Sequence, residues 1–187
     1  IDYTMVNMTP YVAFLRGINV AGKWVKMEDV RKQFASAGFE NVQTYIQSGN
    51  VFFDSSDKNE KTVQDKAARI ISKLLGSEIE VEVFPLIELR VLLKLNPFQK
   101  MNINPADKHF ILFLVKDPKS PKLPLFSPQK EVEIFYYRNR MALGISRKRN
   151  GKFTYPTALL ESTWGVPATT RFWHTFENMM QEMGNIR

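Results

Sequence analysis

The sequence predicts an α+β protein. A ferredoxin-like β-α-β-β-α-β domain over residues 9–95 precedes a smaller, related α+β domain over residues 106–187. Three observations carry this. Strand-like and helix-like apolar periodicities follow one another in that order through the first half. Two turn dipeptides, Asn96-Pro97 and Asn104-Pro105, then interrupt the pattern. Hydrophobic residues make up 44% of the 187-residue chain and charged residues 24%, which is the composition of a globular chain with a real core.

Residues 11–16 (YVAFLR) read as a strand that ends at Gly17. Residues 26–37 read as a helix, because Met27, Val30, Phe34 and Ala37 recur at helical spacing and Gly38 supplies a stop. Residues 42–47 alternate, with Val42, Thr44 and Ile46 on one face, and residues 51–54 form the next strand. A second helix spans residues 61–75, with Val63, Ala67, Ile70, Ile71 and Leu74 inward and Gly76 ending it. Residues 79–84 set Ile79, Val81 and Val83 against Glu78, Glu80 and Glu82. A third helix, residues 86–95, places Leu89 and Leu93 on one face.

The second half opens with a strand at residues 109–115 and an irregular crossing loop at 117–128 that holds four prolines. Residues 131–137 and 140–145 form a hairpin turning at Arg138-Asn139. Helices are expected at residues 156–164 and from residue 171 to about 183, the latter capped by Thr169 or Thr170. Trp173, Phe176 and Met180 share one face of that last helix, and Phe172, Met179 and Met183 share another. Such a stripe is expected in the core. This half reads as an incomplete copy of the first, without a residue-level repeat.

Composition removes several function classes. There is no cysteine, so disulfides, zinc–thiolate sites and cysteine nucleophiles are excluded. The longest apolar run, residues 110–115, is far too short to span a membrane, and residues 1–9 lack the layout of a signal peptide. A cytoplasmic location is the resulting expectation. The net charge of +7 permits polyanionic or phosphorylated partners.

Motifs remove more. Residues 17–23 fit Gly-x4-Gly-Lys, but Trp24 stands where a phosphate loop needs a hydroxyl for magnesium. Phe14 and Phe52 occupy strands that stack bases in RNA-recognition modules, yet the glycine–aromatic signature is absent, and Glu80 and Glu82 would repel phosphates. A basic run, Arg147-Lys148-Arg149 with Lys152, reads as a solvated loop or a polyanion contact. His109 and His174 lack metal-ligand spacing, and no serine elbow exists. No catalytic set emerges, and neither a metal nor a cofactor is called for.

One convergence remains. Gly49-Asn50 reads as a two-residue hairpin turn. In a ferredoxin-like sheet the first and third strands are antiparallel neighbours. The end of the first, Arg16 to Asn19, then lies beside the start of the third. Arg16, Asn19, Lys23, Gln47, Ser48 and Asn50 are therefore the candidate ligand-binding residues, with Arg171 as a separate anion contact beside a helix N-terminus. The first expectation is a binding module for a small anionic or nucleotide-like ligand. The alternative is a nucleic-acid-binding accessory protein that uses its basic surface.

The stretches "FLRGINVAGKWVKMEDVRKQFASAGFENVQTYIQSGNVFF" and "ATTRFWHTF" resemble the N- and C-terminal signatures of the bacterial domain of unknown function 1697 family. The resemblance spans nearly the whole chain. It implies a bacterial, cytoplasmic, two-part α+β protein and no activity. Family members usually carry asparagines around the C-terminal Trp, where this chain has Phe172 and His174.

Overall fold

The computed structural model describes residues 7–18, 22, 24–45 and 49–184. They form a mixed α+β protein with two antiparallel sheets and five α-helices. They fall into two compact units that divide between Arg90 and Val91.

The first unit runs β1 (Thr9–Leu15), α1 (Met27–Ser36), β2 (Glu40–Tyr45), β3 (Asn50–Ser55), α2 (Glu60–Leu75) and β4 (Val81–Pro85), with sheet order β2-β3-β1-β4. Local chemistry sets the helix ends. The Asn59 side chain accepts a bond from the Thr62 N–H at the start of α2, and Gly76 takes a left-handed conformation at its end. On one face of the sheet, Tyr11, Ala13, Leu15, Val51, Phe53, Val81 and Val83 join Val30 and Phe34 of α1 and Val63, Ala67 and Ile71 of α2. The opposite face carries Val12, Phe14, Phe52 and Phe84, and these too are closed to solvent. A strand buried on both faces is apolar throughout, which is why β1 does not alternate.

This double burial agrees with setting base stacking aside at Phe14 and Phe52, since neither ring reaches solvent. It corrects one expectation. Glu82 is not a surface carboxylate; it is fully buried, beside Phe14 in register.

α3 (Leu86–Leu95) follows β4 directly and buries Leu86, Leu89 and Leu92 rather than Leu93. A 3₁₀ turn, Pro97–Lys100, follows it. The second unit continues with β5 (Lys108–Leu114), β6 (Leu125–Phe126), β7 (Val132–Arg138), β8 (Met141–Ser146), α4 (Thr157–Trp164), β9 (Ala168–Phe172) and α5 (Trp173–Met183), in sheet order β6-β7-β8-β5-β9. Phe110, Leu112 and Leu114 of β5 face Leu160 of α4. The alternate residue Phe113 meets Phe176 of α5, ring centroids 6.1 Å apart.

Several sequence expectations need correction here. The crossing loop contains β6, which pairs with β7. The β7–β8 turn sits at Asn139-Arg140, one residue later than expected, and both have positive φ as a tight hairpin turn requires. Residues 168–172 form a strand, not a helix start. Its Thr and Phe residues suit a strand, and it pairs with β5 from Phe110↔Phe172 to Leu114↔Ala168. Thr169 and Thr170 therefore do not cap α5; Phe172 occupies the cap position without a side-chain bond. Trp173, Phe176, Met179, Met180 and Met183 are buried as the stripe implied.

Candidate functional site

The end of β1 and the start of β3 are joined through the backbone. The Leu15 N–H donates to the Gly49 carbonyl at 2.8 Å. Gly49 has φ +80°, and a Cβ there would stand 2.7 Å from Ile18 Cδ1 and 2.9 Å from Leu15 Cβ. Only glycine satisfies both the angle and the approach. Tyr45 pairs with Asn50, so the β2–β3 connection is the four residues 46–49, and Asn50 belongs to the strand. That corrects the two-residue turn. The positive φ at Gly49 stands, but it closes a longer loop.

Two side chains at this end have opposite characters. Asn50 is buried, and its Nδ2 donates to the Tyr45 carbonyl at 3.2 Å, bracing the hairpin. Arg16 is half-exposed beyond β1, and its Nη1 lies 3.6 Å from Glu80 Oε2, with side-chain exposures of 40% and 43%. That distance exceeds the 2.7–2.9 Å typical of a charge-assisted hydrogen bond. The pair is a solvent-screened contact, worth about 0–1 kcal/mol. Gly17 (φ +63°) and Gly22 (φ +85°) have open space where a side chain would begin. Asn19, Lys23, Gln47 and Ser48 lie outside the described residues.

On the Glu80 side lies an open depression of about 650 Å³ between α2 and the approach to β4. Asp65, Glu78 and Glu80 line it with a single guanidinium, Arg69. Its predominantly acidic wall disfavours anions. The sequence reading missed Glu80 as the partner of Arg16. The signal was present, because a fourth strand antiparallel to the first must bring residue 80 to the end of β1.

Arg171 belongs to the second unit. It stands in β9 opposite Ile111, two residues before α5, and its Nη1 donates to the Thr170 carbonyl at 3.0 Å. Among the described residues, no three His, Asp or Glu side chains gather as a metal-ligand group.

The model of the family described as "Protein of unknown function (DUF1697)" matches residues 8–142. The chain belongs to the DUF1697 family. The matched segment of this DUF1697 protein holds Arg16, Gly49 and Asn50, and ends within β8. The chain is also similar in structure to the conserved bacterial protein SP0830 from Streptococcus pneumoniae, at 21% identity and a TM-score of 0.67. That likeness covers 94% of this chain and 98% of the other, and at this identity it speaks for the fold alone. No curated protein matches the sequence.

Proposed function

We propose that this DUF1697 protein is a cytoplasmic bacterial binding module for a small anionic or nucleotide-like ligand. Its site is the end of the first sheet, where Arg16 stands beside the glycine loop, with Asn19, Lys23, Gln47 and Ser48 contributing from the two loops. Asn50 braces the site from behind. In this reading the first unit is a ferredoxin-like domain and the second a related α+β domain, consistent with the strand orders. A cytoplasmic location fits a cysteine-free chain and the lack, among the described residues, of any helix long and apolar enough to cross a membrane.

The observation that carries the reading is Arg16. It is half-exposed, with its Nη1 3.6 Å from Glu80 Oε2, at a sheet end whose neighbouring backbone is left open by Gly17 and Gly22. A guanidinium so placed offers paired donors to a phosphate or carboxylate. The test is a thermal-shift screen over inorganic phosphate, nucleotides and sugar phosphates, with wild type, Arg16→Ala and Glu80→Gln. A ligand at about 100 times its Kd should stabilise wild type by about 2.7 kcal/mol. Arg16→Ala should lose that gain while melting near wild type without ligand, and Glu80→Gln should increase it. If no compound stabilises wild type, or Arg16→Ala responds in full, the cluster is only a loop clasp.

A further inference from the structure

The second unit carries a surface that the ligand reading does not use. Three rings stand in a ladder: Phe110 to Phe172 at 5.1 Å and 29°, then Phe172 to His174 at 5.5 Å and 22°. The inner ring is buried, and the outermost, His174, is exposed. Tyr155 leans against both Phe110 and Phe172, at 5.3 and 6.0 Å, yet remains 57% exposed. The Lys108 ammonium stands 5.5 Å from the Phe153 ring centroid and 5.9 Å from that of Phe172. Unlike rings closed off in a core, Tyr155 and His174 keep solvent-facing surface beside this ammonium.

Charge gathers at the same end of the sheet. Lys108 pairs with Ser146 at the end of β8, from which the chain enters the basic loop. Arg147 is neutralised by Glu133 at 2.6 Å. Lys108, Lys148 and Lys152 make no ion pair among the described residues. The acids nearest in sequence, Asp107 and Glu177, act on His109, which leaves β5 on the face opposite Lys108 and Phe110.

We infer that this face binds single-stranded nucleic acid without sequence preference. Unpaired bases extend the ring ladder at His174 and Tyr155, and phosphates meet Lys108 and Lys152. Aromatic platforms beside unpaired cations are the arrangement that serves this ligand, because every base has a π-face and every linker a charge. Duplexes fit poorly, since their base faces are already stacked. The inference rests on the second unit alone and stands apart from the ligand site at Arg16.

The experiment measures fluorescence anisotropy of a labelled short oligo-uridine with the full chain at low salt, against His174→Ala, Tyr155→Ala, Lys152→Ala and Trp24→Ala. Trp24→Ala removes an exposed ring of the first unit and is the control. Each ring lost from the platform should weaken binding by about 5- to 150-fold, with His174→Ala and Tyr155→Ala still folded at the assay temperature and Tyr155→Ala melting only slightly lower. Lys152→Ala should reduce the salt slope by about 0.7, the share of one phosphate on a single strand. Trp24→Ala should bind as wild type. Absence of binding overturns the inference. So does equal binding by the His174 and Tyr155 variants, or equal competition by a duplex or by polyglutamate, either of which marks a general polyanion patch.

Discussion

The two sheets share a strand order and differ in what covers them. Both read the same way, β2-β3-β1-β4 in the first unit and β7-β8-β5-β9 in the second, antiparallel throughout, with β6 added at the β7 edge. In the first, the β1–β2 crossover carries α1, and Phe34 of that helix meets Phe53 edge-on at 5.3 Å. In the second, the corresponding crossover from β5 to β7 holds Pro118, Pro121, Pro124 and Pro128 and no helix. Prolines at that density deny a helix its donors. The segment before α4 lies over the vacated face instead. Gly144 has no side chain, and Pro156 packs where one would stand, 3.5 Å from the Cβ position. Loss of one helix thus turns what is core in the first unit into partly exposed rings in the second.

Core substitutions test the comparison hardest. Phe53→Ala and Trp173→Ala should each cost about 3–5 kcal/mol in denaturant melts, because both rings are buried among other aromatics. A Trp173 variant that melted near wild type would mean α5 is not anchored as described.

The loop junction comes next. Gly49→Ala combines a positive φ with contacts under 3 Å and should cost about 1–3 kcal/mol, clearly more than Gly17→Ala, which meets only the angle. Asn50→Ala should also cost about 1–3 kcal/mol by stripping the Tyr45 carbonyl of a donor. Equal effects at Gly49 and Gly17 would remove the argument that β1 and β3 are locked there.

Smaller again is the exposed face of the second unit. Tyr155→Ala should cost about 0.5–1.5 kcal/mol, the scale of one aromatic contact, against the larger penalty at Phe53. A loss as large as that at Phe53 would show that the second sheet is sealed like the first. Smallest is a pH effect at His109. Burial lowers its pKa from the ordinary 6.5, partly offset by Asp107 and Glu177. A depressed imidazole contributes stability that is present above the unfolded pKa and is lost as pH falls toward the folded one. Stability should therefore decline below about pH 6.5. His109→Gln should remove that share of the decline, and a variant with an unchanged pH profile would refute it.

The helices of the first unit were legible because each had its own period, Val30 and Phe34 for α1 and Val63, Ala67 and Ile71 for α2, while β1 showed as a short apolar run that ends at Gly17. Residues 168–172 misled because a threonine pair before an apolar stripe is also a helix-cap signal. Only pairing with β5, a non-local fact, decides the matter. Glu82 misled for a similar reason. Its alternation with Val81 and Val83 implied a wet face, but both faces of that sheet are buried. At the candidate site, Arg16 and Gly49 could be brought together from topology alone. The Glu80 contact and the inward turn of Asn50 needed coordinates. The ring ladder was hidden because Phe110 comes from β5, Tyr155 from the segment before α4, Phe172 from β9 and His174 from α5.

The central claim is that the first unit, not the second, holds the small-ligand site. An NMR titration of ¹⁵N-labelled protein with a nucleoside diphosphate tests it residue by residue. Saturable shifts are expected at the amides of Arg16, Gly17, Gly22 and Gly49, complete at lower ligand concentration than any shift at the ring face of the second unit. Shifts confined to the second unit, or none at saturating ligand, would contradict it.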